Sequence, residues 1–401
     1  MFLYALILSL IITSFLNIGF YQQWFGPKHY SDIREMSLFG SHIRYGILIA
    51  LGAGIALYMI YSKKSIVPSF VWITLLIWFG FYTFYSQILS GVLSLVAIFI
   101  VFILFITFKY SKYIPLFFGG IVSLFIYGLI TYIKPQPIEN LNVKKLPLKT
   151  IEGNFYTNDL KSQNRENNKL VYISYCDYEL EREWNKISTF SYYERDKRGQ
   201  LLRNTLIRYL ASKNYSKDAA GVKKLSPTDI LNIENGIASI ELLQTGIMAR
   251  LYGIKYQFNN KFDPNGHSIL QRLEYWKTAL EIIQKNWIIG TGTGDIQIAF
   301  DQQYDQDNSI LLKKNRLRAH NMYLTIWASF GMIGLIIFLG FLYSFFQINL
   351  KNRELIGILF FVVMILTFCI EDTIETQMGV SIISLFVGLF LTKIESQEKT
   401  I

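Results

Sequence analysis

The stretch RLRAHNMYLTIWASFGMIGL, Arg316–Leu335, changes character halfway along. Two arginines, a histidine and an asparagine stand directly against an apolar run that continues to about residue 349. A run of that length is long enough to cross a bilayer as a helix. Lysine or arginine at its start would simply anchor the helix end. Histidine is a poor anchor, so Arg318, His320 and Asn321 raise the question of what lies at this doorstep.

Working outward, 52% of the 401 residues are hydrophobic and 16% are aromatic, and the apolar residues come in blocks. Runs near membrane-spanning length occupy 2–20, 42–61, 68–84, 87–108, 113–133, 322–349, 355–370 and 377–393. The stretch 68–108 is divided near Ser86–Gln87, because a single helix of that length would be about twice the hydrocarbon thickness. The expected fold is therefore an all-α polytopic membrane protein with about eight transmembrane helices. A membrane domain at 1–133 carries five spans and another at 322–401 carries three. Between them, 134–321 forms a large, mainly helical loop domain. The first run has no basic leader and no small-residue cleavage site, so it reads as a retained helix.

Charge sets the expected orientation. Lys63 and Lys64, Lys109 and Lys112, and Lys351 and Arg353 fall in alternate short loops, while the intervening loops are uncharged or carry Glu371, Asp372 and Glu375. The first outer loop is neutral, with Lys28 and Arg34 against Asp32 and Glu35. The positive-inside rule puts the basic loops and both termini in the cytoplasm and 134–321 outside it. That segment holds 28 Lys and Arg against 21 Asp and Glu. Its basic surplus faces a compartment whose obvious anions are lipid headgroups and lipid-linked phosphates. Cys176 and Cys369 fall in different regions, so no disulfide framework is expected.

Within the polar segment, 134–170 is rich in Pro, Asn and Lys and reads as loose wrapping. Helical periodicity follows at 198–214, with Leu202, Leu206, Tyr209 and Leu210 on one face and Arg203 and Arg208 off it. Residues 226–253 read as two short helices broken at Gly236. The clearest helix is 265–286, where Ser268 and Gln271 have capping-box spacing and Leu273, Trp276, Leu280 and Ile283 form a stripe. Arg272 then stands near a helix start, where backbone N–H groups and the dipole favour an anion. GTGTGD at 290–295 lacks the strand before it that a phosphate loop needs, and reads as a turn. DQQYDQDN at 301–308 reads as a solvated turn, and His29 and His42 have no ligand partners at suitable spacing. No metal site and no cofactor are expected.

Taken singly, a surface arginine or a helix-end histidine implies no chemistry. Together, an outward-facing histidine and an arginine on a helix start suit reaction at a lipid-linked diphosphate. Such a donor needs cations for the leaving diphosphate and a base for the incoming hydroxyl. Arginine grips phosphate oxygens in pairs. His320, beside Arg316 and Arg318 at a helix N-terminus, should have its protonated form disfavoured and be available as the base.

RLEYWKTALEIIQKNWIIGTGTGD (272–295) followed by RAHNMYLTIWASFGMIGLIIF (318–338) resembles the O-antigen ligase/polymerase family. The resemblance covers about 200–345, and extends weakly to SHIRYG (41–46) and EDTIETQMGV (371–380). It implies a metal-independent, inverting membrane glycosyltransferase in the bacterial inner membrane, with its large loop in the periplasm. Its partners would be an undecaprenyl diphosphate-linked glycan, a glycan or lipid acceptor and the bilayer, with no nucleic acid. His320 would be the base and Arg272 a diphosphate ligand, with Arg318 and Asn321 assisting at the substrate. Family members usually have more spans than the eight read here, which leaves room for N-terminal spans missing from this chain. Many also carry an arginine beside Ser and Gly in an earlier span, where SQILSGVL (86–93) has none. Arg44 or Arg208 could supply that second cation. A ligase, a polymerase of the same family and a lipid-linked sugar transporter remain open. The spans' near-freedom from charge disfavours transport, which calls for ionisable groups in mid-span.

Overall fold

The computed structural model describes residues 2–26, 33–38, 40–63, 65–108, 110, 113–134, 146–162, 164–166, 169–243, 246–259, 264–265 and 267–398. Lys28, Asp32, Lys64, Lys109 and Lys112, used in the charge reading, and His29, weighed as a metal ligand, lie outside the described residues. The chain is mostly helical and divides into two compact units, 1–125 with 264–401, and 126–263. The long polar stretch is therefore not one body, since 264–321 folds with the apolar helices.

Each of the eight apolar runs forms a helix: α1 Phe2–Tyr21, α2 His42–Ser62, α3 Ser69–Tyr85, α4 Leu89–Thr107, α5 Tyr113–Ile133, α13 Met322–Lys351, α14 Leu355–Ile370 and α15 Gln377–Glu398. The division at Ser86–Gln87 holds, with Gln87 in a left-handed conformation (φ 55°) between α3 and α4. Among the described residues, α1, α2, α4 and α13 are long and apolar enough to cross a membrane. Ser69–Tyr85, Phe117–Ile133, Leu355–Ile370 and Gln377–Phe390 are shorter apolar helices.

In the first unit α2 is the central helix, packed by α3, α4 and α14. Its small residues permit this. Gly46 meets Gly91 of α4 so closely that a Cβ on Gly91 would lie 3.0 Å from the Gly46 carbonyl oxygen. Backbones approach at small residues, and dispersion replaces the hydrophobic drive that lipid does not supply. Polar side chains tie the bundle where they are buried, as in the bond from Asn17 Nδ2 to the Tyr82 hydroxyl (3.0 Å).

Two polar helices, α11 Ser268–Lys285 and α12 Ile296–Gln306, complete this unit with the start of α13. Their shared core contains Tyr275, Ala279, Ile282, Ile283, Phe300, Tyr304 and Ala319. The stripe expected on α11 is corrected here, because Leu273 and Leu280 are exposed. Two apolar stripes fit the 3.6-residue period, and packing against α12 and α13 selects the one through Leu270, Tyr275, Ala279 and Ile282. The capping box does not form either. His267 is the N-cap, without a side-chain cap bond, and Ser268 is already inside the helix.

α13 is interrupted at Gly331 (φ 66°, ψ −167°). The turn around GTGTGD closes the gap. Thr291 N–H donates to the Ala328 carbonyl (2.9 Å), Gly292 N–H to Ser329 (2.8 Å), and Met332 N–H to Trp287 (2.8 Å). The glycine is obligatory, since a Cβ at Gly331 would lie 2.0 Å from the Ile288 oxygen. This turn is therefore a helix repair, consistent with rejection of the phosphate-loop reading.

The second unit is built on α6 Asp177–Ile187, α7 Leu202–Ser212, α8 Ala219–Val222, α9 Pro227–Glu234 and α10 Gly246–Asn259, with a two-residue antiparallel pair at Arg165–Glu166 and Lys169–Leu170. Leu202, Leu206, Tyr209 and Leu210 are fully buried, as the periodicity of α7 predicts. The break at Gly236 (φ 75°) is present. The capping box of this region is Ser226 with Asp229 at the start of α9, a Ser-x-x-Asp signal with proline at the first helical position.

Candidate active site

The segment leading into α13 is clamped onto the α11–α12 platform by three aromatic donors. Tyr275 Oη donates to the Asn315 carbonyl (2.8 Å), Tyr304 Oη to Leu317 (2.7 Å), and Trp276 Nε1 to Ala319 (3.0 Å). Burial pushes the Tyr275 hydroxyl up, against the opposing pull of Arg272, so it remains a donor. The clamp fixes the backbone one residue before His320, whose ring lies 5.7 Å from that of Tyr275.

His320 itself has a left-handed backbone (φ 46°), unusual for a residue with a side chain. Asp372, on the connection between α14 and α15, holds it there. Its carboxylate accepts from His320 N–H (2.9 Å), Asn321 N–H (3.2 Å) and Thr325 Oγ1 (2.6 Å). A carboxylate at a helix start satisfies free N–H groups and complements the dipole. Asn321 is the N-cap, its Oδ1 accepting from Leu324 N–H at 3.1 Å while its Nδ2 donates to the Cys369 carbonyl.

The neighbouring Glu371 is buried, its side chain 4% exposed. Its Oε2 lies 3.2 Å from Arg44 Nη2 on α2, and its Oε1 3.3 Å from Arg272 Nη2 on α11. His320 Nδ1 is 3.9 Å from the same Oε2 and 4.0 Å from Asp372 Oδ2. Three buried nitrogens around this carboxylate have no hydrogen-bond partner: Arg44 Nε, Arg272 Nε and His320 Nδ1. Buried polar atoms are nearly always satisfied, so three together mark a place where bonds remain to be made.

Of the residues singled out from sequence, Arg44, Arg272 and His320 come together here. Arg318 is committed nearby, donating to Glu375 Oε1 (2.8 Å) and Gln297 Oε1 (3.1 Å). Burial holds the Glu375 carboxyl above its usual range, although Arg318 opposes this. The positive features expected around His320 are thus each met by an acid, Arg318 by Glu375 and the helix start by Asp372. Arg208 belongs to the second unit, where it pairs with fully buried Glu166 (2.7 Å). Among the described residues no group of three or more His, Cys, Asp or Glu is placed to hold a metal ion.

Glu371, Asp372 and Glu375 were read from sequence only as an acidic loop. The signal was the pair Glu371–Asp372 wedged between two apolar runs, since carboxylates buried there need cations. Beside Arg44, an apolar cavity enclosing about 460 Å³ of partly open space runs between α2, α14 and α15, lined by Leu48, Leu51, Met364, Met378 and Ile382.

By class, this is a helical protein with membrane-length apolar helices and a cluster of arginines, a histidine and carboxylates at the ends of several of them. Residues 230–339, which include Arg272 and His320, match the family described as O-antigen ligase. Members of this family are glycosyltransferase-like ligases of polysaccharide biosynthesis, and with the apolar helices the match supports a multi-pass membrane protein of this kind. No curated protein and no solved structure matches the chain.

Proposed function

We propose that this protein transfers a glycan from undecaprenyl diphosphate to an acceptor hydroxyl, as an inverting, metal-independent ligase in the inner membrane. The eight apolar helices act as spans, with the polar segment in the periplasm. The observation that carries the reading is the convergence of Arg44, Arg272 and His320 on one buried carboxylate.

Arg44 and Arg272 take the donor's diphosphate, and the apolar cavity beside Arg44 takes the start of its lipid chain. His320 Nδ1 faces the carboxylates, which leaves Nε2 toward the acceptor. As the acceptor oxygen forms its bond to the anomeric carbon, its proton passes to Nε2. The bond from that carbon to the diphosphate breaks with its electron pair going to the phosphate oxygen, and the arginines hold the added charge. Glu371 and Asp372 balance the imidazolium that forms, as a buried carboxylate does in other histidine-based catalysis.

The test is transfer by the purified full chain from a synthetic undecaprenyl diphosphate glycan. General-base catalysis is worth roughly 10²–10⁴-fold, so His320→Ala should lose about that much while still binding donor. His320→Gln should not recover it, since an amide cannot take the proton. Full transfer by His320→Gln across pH 6 to 8 would remove His320 from the role of base.

A further inference from the structure

We propose that Glu371 is a positioning residue with two alternative partners: it holds Arg44 and Arg272 together until a phosphate takes them, and then serves His320. This rests on the reading of those arginines as diphosphate ligands. The carboxylate lies where a bridging phosphate would have to lie, between the two guanidinium groups, and it holds each by one bond of 3.2–3.3 Å. Charge-assisted pairs of this kind are ordinarily about 2.7–2.9 Å, often in two-pronged form. Here each Nε stays buried without a partner. The carboxylate thus keeps two like charges side by side without saturating either.

A phosphate group brings more oxygens and more charge, and can engage Nε and Nη together. It therefore outcompetes the carboxylate for both arginines. The released Glu371 is confined by burial, and His320 Nδ1, also without a partner, lies 3.9 Å from its Oε2. A shift of about 1 Å makes that contact a hydrogen bond. It fixes the proton on Nδ1 and leaves Nε2 to accept one. Asp372 cannot substitute, because its oxygens are committed to the start of α13. Donor arrival and readiness of the base are thereby linked through one side chain.

The test uses the purified full chain and inorganic pyrophosphate as probe, with binding by calorimetry alongside steady-state transfer. Glu371→Gln keeps the shape and loses the competing charge. It should bind pyrophosphate about tenfold more tightly and leave the donor KM no higher than in the parent chain. It should also turn over at least about tenfold more slowly. A merely structural carboxylate predicts the opposite for binding, because its loss would leave the arginines disordered. Glu371→Asp, too short to span both arginines, should change binding and turnover in the same directions by less, and it carries the test if Glu371→Gln does not fold. Pyrophosphate binding no tighter in either variant, or unchanged turnover, overturns the proposal. Loss of pyrophosphate binding in Arg272→Ala alongside normal Glu371 variants would overturn only this proposal. Absence of pyrophosphate binding in the parent chain, with normal transfer by Arg272→Ala, would overturn the underlying reading as well.

Discussion

The two units each bury an arginine against a glutamate, and they do so differently. In the second unit Glu166 is fully buried and saturated. It accepts from Arg208 Nε (2.8 Å) and Nη2 (2.7 Å) and from the Tyr252 hydroxyl (2.7 Å), while the Arg208 guanidinium lies over the Tyr256 ring. Burial pushes the Glu166 carboxyl up, and Arg208 and Tyr252 pull it back. In the first unit Glu371 is shared by two arginines through single long bonds, with unpartnered nitrogens on both arginines and on His320. A saturated pair has nothing left to offer and specifies structure. An unsaturated cluster has bonds in reserve, which is what a binding site requires.

The largest expected effects test this contrast directly. Removing one partner of a buried pair costs about 3–5 kcal/mol, so Arg208→Ala should lower the unfolding midpoint sharply. Arg272→Ala leaves Glu371 its second partner, Arg44, and should cost less stability than Arg208→Ala, yet reduce transfer by at least roughly 10²-fold. If Arg272→Ala unfolded the protein while Arg208→Ala were benign, the roles assigned to the two arginines would have to be exchanged.

Next in size is a pH effect confined to the second unit. Lys217 donates to the Val171 carbonyl (2.8 Å), and burial, with Lys169 adding to it, lowers its ammonium from 10.5 to about 8. The unfolded chain then holds this proton more tightly than the folded one. The stability that follows is present above 10.5 and is lost as pH falls through 8. Stability should therefore rise by up to about 3 kcal/mol between those limits, measured by denaturant unfolding followed by near-ultraviolet circular dichroism. Lys217→Met should flatten the slope, and persistence of the slope would clear Lys217 of it.

A smaller effect separates charge from geometry. Arg272→Lys keeps the cation and loses the planar fork, so transfer should fall about tenfold with folding intact. Transfer equal to the parent chain would reduce Arg272 to a point charge. At the small end, excess chelator should leave transfer unchanged, because two arginines take the leaving group's charge. Inhibition reversed by magnesium would redirect attention to the acids of α12, Asp301 and Asp305.

The helices were legible in the sequence because apolar runs and the polar break at Ser86–Gln87 are local signals. Arg272 and His320 were legible as residue types at helix starts. The partners were not. Glu371 meets Arg44 across 327 positions of sequence, and nothing in the spacing distinguishes Arg44 from Arg208 as the second cation. Nor could periodicity choose between the two stripes of α11, since only the positions of α12 and α13 decide which is buried. The start of α13 shows the same limit. A helix N-terminus beside histidine was foreseen, whereas the carboxylate that occupies it comes from Asp372, some fifty residues further along.

The break at Gly331 also acts as a ruler. From Met332 to Lys351 the helix rises about 30 Å at 1.5 Å per residue, which by itself matches the hydrocarbon thickness of a bilayer. The turns from Met322 to Phe330 add about 13 Å of helix beyond that length, on the side of His320. The break thus parts a bilayer-length stretch from a short cap whose Leu324, Trp327 and Ala328 pack with the core of α11 and α12.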